Sequence, residues 1–200
     1  MPVNYTNRKG QTYTLYRGQT KTGKPRYYFG RAGQSQGEPV TELPAGFTIS
    51  ESVNGVVSLV KDRPSLIQPQ EMAAVEEAMK EHPEARRYRI VTKHDHIEIY
   101  EQVSPDFDSL LRELQTAQWW DPSLASRLQS FEEEHYAQYT PILRFTLLDP
   151  TRRWFGAKRM CYRSSIDGWL ELRQTGPGPV AELARELIPT LGTDQFFELW

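Results

Sequence analysis

Three observations predict an α+β protein with antiparallel hairpins. Tyrosine-rich segments alternate in polarity, an Asn-Gly pair sits between two apolar segments, and apolar residues recur at helical spacing behind proline and serine start signals. The expected architecture begins with N-terminal antiparallel β-hairpins and one helix. A C-terminal helical pair, a three-stranded antiparallel meander and a final helix complete it. Two modules are expected, a β-rich one over 1–102 that carries a basic hairpin and an α+β one over 103–200.

Thr12 to Arg17 and Arg26 to Arg31 read as strands, joined through Gly18 to Pro25, where glycine, lysine and proline supply turn chemistry. Alternation puts Tyr13, Leu15, Tyr27 and Phe29 on one face and Tyr16, Arg26 and Tyr28 on the other. A loop over Ala32 to Gly46 leads to a second hairpin, Phe47 to Val53 and Val56 to Lys61, around Asn54-Gly55, a strong hairpin signal. Pro69 to His82 carries Met72, Val75 and Met79 on one stripe, with Pro69 where a first helical turn tolerates it. Tyr88 to Glu101 alternates again about a polar tip, Lys93 to His96, and predicts a third hairpin.

Ser104 before Pro105, Asp106 and Asp108 has the composition of a helix start, because a serine cap and early acids satisfy free amide donors. Asp121-Pro122 repeats that signal, and Leu124, Leu128, Phe131 and His135 continue it to about Tyr139. The meander is expected over Pro141 to Asp149, Arg153 to Arg163 and Gly168 to Arg173, with turns at Asp149-Pro150 and Asp167-Gly168. Gly176 to Pro179 then breaks the chain before a helix from Val180 to Leu191, which Gly192 stops. The apolar ending, Phe196 to Trp200, predicts a docked tail.

The formal net charge of -2 conceals a segregation. Met1 to Gly37 holds Arg8, Lys9, Arg17, Lys21, Lys24, Arg26 and Arg31 and no acid, so this stretch is +7 and the rest of the chain is -9. Glu101 to Tyr139 is acidic and Arg144 to Arg173 basic, which predicts local fields of either sign. No apolar run approaches the roughly 18 residues of a membrane span, and Met1 to Gly10 lacks a secretory core, so a cytoplasmic protein with no membrane association is expected. The single cysteine, Cys161, excludes an internal disulfide framework and a multi-thiolate metal site.

The basic hairpin is the leading candidate for function. Nucleic acid is held by cations that follow phosphates and by flat rings on which bases stack. Tyr16, Arg17, Lys21, Lys24, Arg26, Tyr28 and Arg31 supply both, although edge strands also carry lysine and arginine to discourage aggregation. Arg152, Arg153, Lys158, Arg159 and Arg163 form a second basic cluster, for which pairing within the chain is the expectation. Glu132-Glu133-Glu134 point in different directions around a helix and suit a solvated face better than a metal. His94-Asp95-His96 has ligand chemistry but lies at a hairpin tip, where polar residues are expected anyway. His135 falls on an apolar stripe and Cys161 has no local nucleophile signature, so packing is expected for both. Asp167 with Glu171-Leu172-Arg173 is similar to the acid and E-x-K set of restriction-type nucleases. Arginine replaces the lysine, however, and both acids flank one strand. No Walker sequence, dinucleotide fingerprint, Gly-x-Ser-x-Gly elbow or His-Glu-x-x-His occurs, and no catalytic residue, metal or cofactor is expected.

Lys21-Thr22-Gly23-Lys24-Pro25-Arg26-Tyr27-Tyr28-Phe29 and Thr193-Asp194-Gln195-Phe196-Phe197-Glu198-Leu199 resemble segments of uncharacterised bacterial proteins, a resemblance that implies no activity. The first stretch is also similar to the small three-stranded, DNA-contacting arm domain of some phage-type integrases. The catalytic domain that follows that arm is lacking here, so the resemblance implies binding only. The resulting expectation is a non-catalytic binding or regulatory protein that contacts RNA or DNA through the hairpin. A protein-protein interaction or assembly adaptor with polarised charge is the alternative, and an enzyme with an unrecognised site is the third.

Overall fold

The computed structural model describes residues 1–31, 37–103, 137–163, 166–172 and 174–198, with the backbone alone at Tyr162, Arg163, Ile166 and Asp167. They form two compact units, the described residues of Met1–Asp62 and Val103–Gln138, and those of Arg63–Gln102 and Tyr139–Trp200. Strands predominate, all pairing antiparallel, and helices are few. The chain is thus mixed α and β as expected, but richer in strand. Among the described residues no helix is long and apolar enough to cross a membrane.

The first unit has two small sheets. In one, β2 (Thr12–Gln19) pairs along one edge with β3 (Pro25–Arg31). Along its other edge it pairs first with β1 (Asn4–Thr6) and then with β4 (Glu38–Pro39). The second sheet is the hairpin of β5 (Phe47–Glu51) and β6 (Val57–Lys61). Asn7, buried in the β1-β2 turn, joins the two. Its Oδ1 accepts from the amides of Lys9 and Gln11 and its Nδ2 donates to Gly55 O at 2.7 Å. Among the described residues of this unit Leu15 is fully covered and Tyr16 and Val57 nearly so.

The second unit is one five-stranded sheet, ordered β11-β10-β9-β8-β7, from β7 (Tyr88–Thr92), β8 (His96–Gln102), β9 (Tyr139–Asp149), β10 (Trp154–Arg163) and β11 (Ile166–Glu171). Helices α1 (Pro69–Lys80) and α2 (Val180–Leu187) pack against each other and share one core with the sheet. Val75 and Met79 of α1 and Leu183 and Leu187 of α2 bury with Ile97, Ile99, Leu143, Phe145 and Phe155. Pro69 opens α1 as its position requires. Glu71 closes the cap by accepting from the Gln68 amide at 2.7 Å and also accepts from Arg153 Nε at 2.8 Å. That ion pair holds Arg153, whose φ of 57° is left-handed, in the bulged β9-β10 turn.

Several expectations change in detail. β1 and β4 were not anticipated, because strands of three and two residues carry too little pattern to read. Asn54-Gly55 turns the chain, but inside a longer loop from Ser52 to Val56 in which only Gly55 is left-handed. Asp167 and Gly168 are paired with Tyr162 and Cys161 inside the β10-β11 hairpin, so its turn falls earlier than the Asp-Gly signal suggested. α2 ends at Leu187 and tightens into a 3-10 turn over Ile188–Thr190, where Pro189 removes a helical donor. The chain closes with α3 (Asp194–Glu198), which buries Phe196. The five-stranded sheet draws strands from both sides of residue 102, since β8 pairs with β9. A division between 102 and 103 would therefore cut it. The expected helical pair, with Glu132-Glu133-Glu134 and His135, lies outside the described residues.

Candidate nucleic-acid interface

β2 and β3 outrun their neighbours. β1 and β4 occupy the far edge of β2 only as far as Arg17, while Gly18 still pairs with Arg26 and Gln19 with Pro25. Among the described residues the end of this hairpin is therefore a two-stranded ribbon. From Arg17 to Arg26 every residue is exposed except the half-buried Gly18. Its turn is tightly made. Thr20 N donates to Lys24 O, Gly23 N to Thr20 O and Lys24 N to Thr20 Oγ1, with Gly23 supplying a φ of 76° that suits glycine.

Lys21 and Lys24 sit in this turn, and Arg17 and Arg26 stand just behind it on opposite strands. None of the four makes an ion pair among the described residues, although Glu38 lies opposite Arg17 across β2 and β4. The ten residues from Arg17 to Arg26 contain no acid and no aromatic ring. Arg17 is opposite Tyr27, on the face of Leu15 and Phe29, whereas Arg26 is opposite Gly18, on the face of Tyr16 and Tyr28. The Arg26 guanidinium lies 6.0 Å from the Tyr28 ring centroid.

The remaining expected contact residues are placed differently. Tyr16 is only 8% exposed, because β4 and the stacked Tyr28 ring, 6.0 Å away, cover it. It backs Tyr28 and has no open face for a base. Tyr28 is half-buried, and a side-chain carbon at Gly37 would approach its hydroxyl to 2.9 Å. Arg31 stands at the other end of β3 and donates to Gln11 Oε1, which also accepts from Tyr13. The seven expected residues thus divide into a cationic end, an aromatic pair behind it and a separate Arg31.

In the second unit, the sheet face away from the helices carries a polar network that sequence reasoning missed. Glu98 is 5% exposed there. It accepts from Tyr100 Oη at 2.6 Å and from Arg144 Nε at 3.0 Å, and His96 Nε2 lies 3.2 Å away. The other His96 nitrogen is 2.7 Å from Asp95, and the Arg144 guanidinium lies 4.0 Å from the Trp169 centroid. Burial opposes ionisation of Glu98, but the hydrogen bonds from His96, Tyr100 and Arg144 outweigh it and hold its carboxyl at about 2, from 4.5. Hydrogen bonds donated to Glu98, and then to Asp95, raise His96 against the cost of burial. The available signal was the alternation of Ile97, Glu98 and Ile99. The partner, Arg144, follows only from the register of β8 on β9.

Three members of the second basic cluster meet acids inside this unit. Arg152 is 3.8 Å from Asp149, Arg153 binds Glu71 and Lys158 is 3.4 Å from Glu171, while Arg159 is buried and the Arg163 side chain lies outside the described residues. His94 Nδ1 sits 2.7 Å from Pro64 O and Cys161 is buried. Among the described residues no three histidines, cysteines or acids are grouped to hold a metal. No protein-family profile, curated protein or solved structure matches the chain.

Proposed function

We propose that this protein acts by binding, contacting nucleic acid non-catalytically through the end of the β2-β3 hairpin. One observation carries the reading. Arg17, Lys21, Lys24 and Arg26 are exposed on a preformed hairpin end with no acid from Arg17 to Arg26 and, among the described residues, no ion pair to neutralise them. Phosphates reward that arrangement, because each contact releases condensed counterions. The other basic cluster, already paired with Asp149, Glu71 and Glu171, has less to offer an anion.

The test is fluorescence anisotropy with labelled mixed-sequence DNA and RNA oligonucleotides at low salt. Four phosphate contacts predict a slope of log affinity on log salt of about -3 to -4. Replacing Lys21, Lys24 and Arg26 together with alanine removes the binding, and the circular dichroism spectrum stays unchanged. No salt-sensitive binding to any oligonucleotide sinks the reading.

A further inference from the structure

From the way the ribbon distributes its cations, we infer that the ligand of this site is B-form duplex DNA, entered through its major groove. This deepens the proposed function and rests on it. A single strand laid along a β-surface needs cations along one face and rings on which its bases stack. The ribbon has neither. Arg17 and Arg26 project from opposite faces, by their pairing with Tyr27 and Gly18. The ten exposed and half-exposed residues from Arg17 to Arg26 include no aromatic side chain. The nearest rings behind them are a half-buried Tyr27, a half-buried Tyr28 and a buried Tyr16.

Cations on both faces of a thin element suit a slot whose two walls are phosphate backbones. A strand ribbon with its side chains is about 10 Å thick. The major groove of B-DNA is about 12 Å wide and about 8.5 Å deep, and it admits a two-stranded ribbon. The segment beyond the last pairing with β4, from Gly18 through the turn at Thr20 to Lys24, projects on the order of 10 Å. From the base of that segment, Arg17, level with the last pairing to β4, then reaches one wall and Arg26 the other, with Lys21 and Lys24 at the leading edge. The turn hydrogen bonds of Thr20 fix this shape before any ligand arrives, so little ordering entropy is lost on entry. The major groove of an RNA duplex is deep and narrow and does not accept such an element.

The experiment compares one mixed-sequence DNA duplex with each of its single strands and with the RNA duplex of the same sequence, using the full chain at low salt. The DNA duplex is expected to bind tighter than the single strands or the RNA duplex by about tenfold or more. Methyl green, a major-groove dye, should displace the protein, and netropsin, a minor-groove ligand, should not. Arg17→Ala and Arg26→Ala, both at exposed positions, should each weaken duplex binding and each lower the salt slope by about 1. Single strands binding as tightly as the duplex, displacement by netropsin, or a loss in only one arginine variant overturns the inference and leaves nucleic-acid binding standing. An absence of binding to every oligonucleotide overturns both.

Discussion

The two units dispose of charge in opposite ways. In the first, Lys21, Lys24 and Arg26 stand past the last pairing of β2 with β4 and Arg17 stands at it, and all four are exposed. In the second, Arg144, Arg152, Arg153 and Lys158 each meet a carboxylate within their own unit. Both segments are basic by count. What separates them is whether an acid on a neighbouring element reaches the cation: β8 brings Glu98 to Arg144 and α1 brings Glu71 to Arg153, whereas Glu38, opposite Arg17 on β4, makes no ion pair with it among the described residues. A stretch's net charge is therefore a poor guide to its field until strand register is known.

The contrast breaks most sharply at Glu98. Glu98→Gln leaves Arg144 and His96 with a buried neutral partner. It should destabilise the second unit by about 3 to 5 kcal/mol, read by amide hydrogen exchange segment by segment with the first unit as internal control. Equal loss in both units, or none, would mean that the network does not hold the sheet. Asn7→Ala is the counterpart in the first unit. It removes three hydrogen bonds from a buried turn and should cost about 1 to 3 kcal/mol there.

Proton linkage gives a smaller, signed effect in the second unit. Glu98 is held below its ordinary value, so its stabilisation is present above pH 4.5 and is lost as pH falls through about 2. His96 is held above its ordinary value. Its contribution is complete below pH 6.5 and is lost as pH rises through the folded pKa. Urea midpoints should therefore peak between these limits, and His96→Gln should flatten the alkaline decline and, by removing one donor to Glu98, move the acid decline to higher pH. The smallest effect belongs to the ribbon. Lys21→Ala and Lys24→Ala should leave the urea midpoint unmoved while lowering affinity for oligonucleotides, because both side chains are exposed and the turn's hydrogen bonds use only the backbone of Lys24.

Much of the framework was legible from local pattern. The β2-β3 hairpin and its face assignment, the helix opening at Pro69, the hairpin of β7 and β8 and the β9 to β11 meander all follow from alternation, helical spacing and turn residues. The cationic end of the candidate interface was legible as a place in the fold, since Arg17, Lys21, Lys24 and Arg26 flank or occupy a turn. The aromatic half was not. Alternation put Tyr16 on the same face as Tyr28, but only the short β4, returning from beyond the hairpin, decides that Tyr16 is covered.

By itself, the sequence determined which segments become strands and helices and where unneutralised positive charge would first be sought, because those depend on residues a few positions apart. Tertiary structure decided which charges remain available. Glu98 is separated from Arg144 by 46 positions and Arg153 from Glu71 by 82, and such encounters are set by sheet order and helix packing. The same long-range pairing carries β1 and β4 along β2 only as far as Arg17 and, among the described residues, leaves the hairpin beyond it two-stranded.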